Sequence, residues 1–129
     1  MLQYTLPGSP SLYYGDETGM EGGKDPFNRR PYPWGREDKE LQAHFRILGN
    51  LRKAHAALRT GDTEIIRAGE GCFGFARTLG DSKLRIYVNH SKETWQIPAG
   101  RQLFAKGVKT LAPDWLEIAP MGMCIVEDE

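Results

Sequence analysis

Between residues 38 and 58 the apolar side chains Leu41, Phe45, Leu48 and Leu51 recur at helical spacing with charged residues between them. That spacing predicts one amphipathic helix, ended by Thr60-Gly61. After Gly61 the pattern changes to alternation, and residues 63–68, 72–79, 84–89, 94–97, 102–104, 115–118 and 123–127 each read as a short strand. Gly80-Asp81, Pro98-Ala99-Gly100, Pro113-Asp114 and Pro120-Met121-Gly122 punctuate them. Short strands separated by such turns predict an antiparallel β-sandwich.

Ahead of the helix the pattern is sparser. Leu2-Gln3-Tyr4-Thr5-Leu6 is stopped by Pro7-Gly8, and Ser11-Leu12-Tyr13-Tyr14, closed by Gly15, reads as one short buried strand. From Gly15 to Trp34 follows a loop crowded with glycine, proline and opposed charges. Strand, loop and helix make one unit of a parallel α/β architecture, which cannot bury its sheet with a single strand. The expectation is a chain that carries the end of one domain, residues 1–61, and the whole of the next, residues 62–129.

Composition narrows the function classes. The chain has 129 residues, 40% of them hydrophobic, which suffices for a modest core. With 17 basic and 17 acidic residues there is no general field to attract nucleic acid or an anionic membrane. On the helix, Arg46 and Lys53 lie off the apolar stripe and read as a solvated face. His55, near the stripe, reads as a packed histidine because Arg59, not a metal ligand, stands one turn on. Cys72 and Cys124 sit among apolar or small neighbours without metal spacing, as buried thiols in a reducing compartment would. The opening MLQYTLPGSP lacks the pattern of a secretory leader, and a cytoplasmic location is expected. Asn89-His90-Ser91 fits the glycosylation sequon, which matters only in a secreted protein.

Candidate chemistry concentrates in the loop. Asp16 and Glu17 are adjacent and point to opposite sides, so they cannot act together across one bond; structural hydrogen bonding is their expected use. Gly19, Gly22 and Gly23 belong to no phosphate-binding motif. Asp25 and Arg29 in DPFNR place a carboxylate and a guanidinium four residues apart. Charge-assisted, bidentate groups of that kind suit a ligand with paired hydroxyls; an ordinary loop salt bridge is the alternative. Trp34 is expected to pack beneath the loop rather than stack on a sugar.

The run LPGSPSLYYGDETGMEGG, followed by KDPFNRRPYPW, resembles the end of the (β/α)8 catalytic barrel of the α-amylase superfamily of glycoside hydrolases. The likeness is to its neopullulanase, cyclomaltodextrinase and maltogenic amylase branch. LRKAHAALRTG resembles the last barrel helix of that branch, and the β-rich remainder its C-terminal sandwich, domain C. The resemblance implies a mainly β fold: a domain C-like antiparallel sandwich preceded by the last strand, loop and helix of the barrel. It implies a parent enzyme that cleaves α-glucosidic bonds in maltodextrin, cyclodextrin or pullulan with retention. It also implies that Asp25 and Arg29 line the sugar-binding end of the cleft.

The family's nucleophile, acid and second Asp lie in GFRxD- and NHD-type motifs, which do not occur here; Asn89-His90 is followed by Ser91. No catalytic residue, metal site or cofactor is therefore expected in this chain, and the chain alone should be inactive. Its expected partner is an α-glucan oligosaccharide in the parent, with no nucleic acid or membrane. A homodimer through the exposed helix stripe is a further expectation. The rival reading is a non-enzymatic sandwich that binds glycans or a protein, for which two or three coplanar exposed aromatic side chains would be the sign.

Overall fold

The computed structural model describes residues 1–128, so Glu129, the last residue of the expected sandwich, lies outside the described residues. The chain parts into two compact units, Met1–Ala54 and His55–Glu129.

The first unit holds α1 (Leu2–Thr5), the long loop and α2 (Lys39–Ala54). Asp38 caps α2, its carboxylate accepting the Leu41 N–H at 2.9 Å and satisfying one of the orphan donors of the first turn. Arg52, from the last turn, donates to the carbonyls of Tyr4, Leu6 and Gly8 and so ties the opening segment to the helix. Tyr4 meets Phe45 edge to face at 6.0 Å. The strand expected at residues 11–14 is not formed: Tyr13 is 63% exposed and Tyr14 is exposed as well. A strand needs a neighbour to complete its ladder, and among the described residues this unit has none. The predicted helix also stops earlier. His55 is extended, with φ −106° and ψ 108°, and the chain resumes as the separate helix α3 (Ala56–Thr60) in the second unit.

In the second unit α3 and six antiparallel strands form the sandwich: β1 (Asp62–Gly69), β2 (Cys72–Leu79), β3 (Ser82–Asn89), β4 (Trp95–Pro98), β5 (Arg101–Ala112) and β6 (Trp115–Glu127). The order runs β1-β2-β3-β6-β4, with β5 also paired to β6. The second half of β6 pairs with β3, from Met123 opposite Val88 to Glu127 opposite Leu84. Its first half pairs with β4, from Trp115 opposite Pro98 to Ile118 opposite Trp95. β5 follows β6 along both halves, so this pair bends out of one layer and into the other.

Two expectations are corrected here. Residues 115–118 and 123–127 are one strand, because Pro120-Met121-Gly122 makes a bend rather than a turn. β5 runs to Ala112, well past residue 104. At the bend Met121 has φ 61° and Gly107, across the pair, φ 65°; a Cβ at Gly122 would lie 2.8 Å from the Gly107 carbonyl oxygen. Only residues without side chains let the two backbones cross so closely.

Between the layers Cys72, Tyr87, Cys124 and Val126 face Trp95, Ile97, Leu116 and Ile118 in one core. Gly74 makes room for it, since a Cβ there would meet Tyr87 at 2.8 Å and Trp95 at 3.0 Å. On the other face of the first layer Phe75, Leu84, Ile86 and Ile125 are buried, as are Ala57 and Leu58 of α3, which packs on β2 and β3. His55 stands 3.7 Å from the Glu127 carboxylate, a packed position at the end of β6. The sequon asparagine is buried: Asn89 donates to the carbonyls of Glu93, Ile118 and Ala119 at 2.8, 3.1 and 3.2 Å and accepts from Ser91 N–H and O–H. It is spent on the fold.

Both cysteines are buried and free. Burial pushes the Cys124 thiol from 9.0 up to about 12, against the opposing pull of the Arg85 guanidinium. The folded chain thus keeps this proton where the unfolded chain releases it. Stability is full below pH 9.0 and falls as pH rises from there toward about 12, by at most about 1.4 kcal/mol per pH unit. Tyr87, also raised by burial, acts in the same direction at higher pH. Urea unfolding of the chain and of Cys124→Ala at a series of pH values above 8.5 should give a shallower alkaline decline in the variant, whatever its starting stability. Parallel declines would contradict the buried protonated thiol.

Candidate functional site

The loop is held by its own backbone and by side chains that bond back to it. A single 3₁₀ turn, Asp16–Thr18, follows Gly15. The Asp16 carboxylate accepts the Tyr13 N–H at 3.0 Å and the Glu17 carboxylate the Gly15 N–H at 3.1 Å, as expected of a structural pair. The Tyr14 hydroxyl donates to the carbonyls of Asn28 at 3.1 Å and Arg30 at 3.4 Å, so the start of the loop pins its far side. Sequence reasoning missed this anchor, having assigned Tyr14 to a buried strand; the phenol beside a glycine-rich stretch was the available signal.

Between these fixed points two successive turns, Phe27 N–H to Lys24 O at 2.8 Å and Arg29 N–H to Pro26 O at 3.0 Å, bring Asp25 and Arg29 to the same side. The Arg29 Nε donates to the Asp25 carboxylate at 2.9 Å, and the two side chains are 75% and 63% exposed. The expected pair is thus assembled. With Nε engaged, the terminal N–H groups of Arg29 and the second oxygen of Asp25 stay available, as a donor and acceptor set for vicinal hydroxyls would require.

Elsewhere in the first unit Thr18, Met20, Glu21, Arg30, Pro33 and Arg36 line a recess of about 300 Å³. Glu37, where the chain leaves the loop, accepts from its own backbone N–H, from Lys39 and from the Gly35 N–H, which holds its carboxyl below the usual range. Trp34 departs from expectation: it is 81% exposed and leans on Tyr32 at 4.6 Å instead of packing beneath the loop. The backbone turns there, the Trp34 N–H reaching the Tyr32 carbonyl and the Arg36 N–H the Pro33 carbonyl, each at 2.9 Å.

Elsewhere, Trp95 is buried and Trp115 is 46% exposed, alone among the large aromatic side chains of the described sandwich. The coplanar platform that marks a sugar-binding sandwich is not formed. Among the described residues no group of three or more His, Cys, Asp or Glu side chains could hold a metal, and no helix is long and apolar enough to cross a membrane.

No family model matches the chain. An amylopullulanase of Thermoanaerobacter thermohydrosulfuricus is 48% identical over 83 residues, 64% of this chain and 6% of that protein. A cyclomaltodextrinase of Geobacillus thermopakistaniensis is 40% identical over 102 residues, 76% of this chain and 17% of that protein. Among solved structures, the debranching enzyme of Nostoc punctiforme matches with a TM-score of 0.82 at 32% identity, over 97% of this chain and 29% of its own. The maltogenic amylase of S. marinus gives a TM-score of 0.82 at 28% identity, over 99% of this chain and 18% of its own. The chain belongs to the α-amylase family of glycoside hydrolases. Its relatives there are named amylopullulanase, cyclomaltodextrinase, maltogenic amylase and neopullulanase, and the chain spans only 6% to 17% of the two curated relatives described above.

So exposed an ion pair contributes little to stability, because water screens it in the folded state and solvates both partners in the unfolded one. In this chain Asp25→Ala and Arg29→Ala should each cost less than about 1 kcal/mol, read by urea unfolding. A larger loss in either would mark the pair as a structural clamp.

Proposed function

We propose that this chain is the C-terminal part of a glycoside hydrolase acting on α-glucans, that is maltodextrin, cyclodextrin or pullulan. It supplies the substrate-loop residues Asp25 and Arg29 and a stabilising β-sandwich, while the catalytic carboxyl groups belong to the rest of the parent. The observation that carries this reading is the match to one debranching enzyme over 97% of the chain, which takes in both units. In the parent, Asp25 and Arg29 hold hydroxyls of a glucose unit on the non-reducing side of the scissile bond. Their hydrogen bonds gain strength there because a bound sugar displaces the water that screens them here. The two free, buried thiols support a reducing, cytoplasmic setting.

The test is kinetic. In the parent, Asp25→Ala and Arg29→Ala should each remove charge-assisted hydrogen bonds of about 1.5–3 kcal/mol and lower kcat/KM on maltooligosaccharides by roughly ten- to hundred-fold. The present chain, incubated with maltotriose, pullulan and cyclodextrin, should release no product, since the two-step mechanism needs a nucleophile and an acid. Unchanged kcat/KM in both folded variants would return the pair to a plain loop salt bridge. Turnover that stays with the repurified chain would overturn the assignment of catalysis to the rest of the parent.

The same reading includes self-association through α2. Leu41, Phe45 and Leu51 of its stripe remain only half-buried and Ile47 is exposed, a surface that a second copy of the chain could cover. Sedimentation equilibrium should show a concentration-dependent dimer that Ile47→Asp weakens; a monomer throughout the micromolar range would remove this part of the proposal.

A further inference from the structure

Where β4 ends, the chain turns through Ala99-Gly100 into β5, and beside it lies the short β5–β6 turn, Pro113-Asp114. The Ala99 N–H donates to the Asp114 carbonyl at 2.9 Å and ties the two turns together. Arg85 brings in the chain just past β6, donating to the Ala99 carbonyl at 2.7 Å and to the Asp128 carboxylate at 2.5 Å. Between these parts opens a recess of about 530 Å³, within the size range of small-molecule sites. Asp114, Asp128 and Arg101 supply its charged groups, Pro98 and Pro113 its apolar walls.

This lining is open to water: Pro98, Arg101, Pro113 and Asp114 are all exposed. Asp128 is held by Arg85 and Arg101 pairs with Glu127, but the Asp114 carboxylate makes no hydrogen bond or ion pair among the described residues. Trp115 follows Asp114 and lies opposite Pro98 in the β4–β6 ladder, so its neighbours along and across the strands both line the recess. Its indole, 46% exposed, stands on the outer face of the second layer, since the next pair, Leu116 and Ile97, turns into the core. One row on, that outer face carries Gln96, Glu117 and Lys109 side by side. Glu117 and Lys109 neutralise each other at 2.8 Å, and the exposed Gln96 amide has no partner among the described residues.

We propose that this corner of the sandwich is an accessory site for a neutral glucan chain, one ring stacked on Trp115 and its hydroxyls reaching Gln96 on one side and Asp114 on the other. An indole offers the flat apolar surface that the C–H face of a pyranose fits. The free carboxylate accepts and the free amide both accepts and donates, which is what hydroxyl groups require. With the other charges paired, no free cation awaits an anion here. One indole beside a recess is less than the platform of a dedicated binding module, so it holds a long substrate near the enzyme without capturing it. That the glucan is α-linked rests on the proposed enzymatic reading; the site itself uses neither Asp25 nor Arg29.

Titration of the isotope-labelled chain with maltoheptaose tests the proposal through the indole N–H signals of Trp34, Trp95 and Trp115, each assigned by its Trp→Phe variant. The Trp115 signal should move saturably with a Kd of about 1 mM, while that of the buried Trp95 stays. Asp114→Ala should weaken this binding by about tenfold, and Asp25→Ala should leave it unchanged. In Trp115→Ala, followed by the backbone N–H of Gly100, saturation should disappear. The proposal falls if the Trp115 signal shows no saturation below about 50 mM, if glycerol moves it equally, or if Asp114→Ala binds as the unaltered chain does. A response of Trp34 alone would remove this site and leave the proposed role of the loop standing.

Discussion

The sandwich depends on the side-chain amide of Asn89. It lies at the end of β3, where β6 stops pairing with β4 and turns toward β3, and its N–H groups bond the Ile118 and Ala119 carbonyls at that bend. The same amide holds the β3–β4 turn through Glu93, and its oxygen receives Ser91. A buried carbonyl without a donor costs about 1–3 kcal/mol, and the amide spares that cost at Ile118. Close packing of Gly107 on Gly122 is possible only once that bend is fixed.

The loop of the first unit follows the opposite logic. Apart from Gly15 and Thr18 little in it is buried, and its shape comes largely from hydrogen bonds within it: two carboxylates on nearby N–H groups, one phenol across to the far side, and a pair of tight turns. Such a segment can present charged groups to solvent in a set geometry at little cost in buried charge. Asp25 and Arg29 are free of the structural duties that occupy Asp16 and Glu17, and that freedom makes them the candidates for work on a ligand.

Sequence pattern exposed the sandwich because its strands alternate. β2 appeared with its true ends, and β3 and β4 to within a residue or two, since Phe75, Ile86, Ile97 and their neighbours face buried surfaces. β5 was half hidden, because most of its side chains from Arg101 to Ala112 lie in or near solvent and no clean alternation survives. The proline and glycine at 120 and 122 read as a turn, since the sequence does not reveal that Gly107 will lie across from them. The strand at 11–14 was misread for a related reason: aromatic side chains signal burial, but only a neighbouring strand makes a ladder. In the loop, the spacing of Asp25 and Arg29 was legible. The exposure of Trp34 was not, because the turn around it is made by backbone hydrogen bonds that no side-chain pattern announces.

β6 lends its two halves to different layers, with β5 beside it throughout. Neither layer can therefore peel away while the other persists, because the strand that would have to leave one is the strand that closes the other. Loss of order anywhere along β6 propagates through the whole sandwich, so this small domain melts as one piece and presents proteases with few partly open forms.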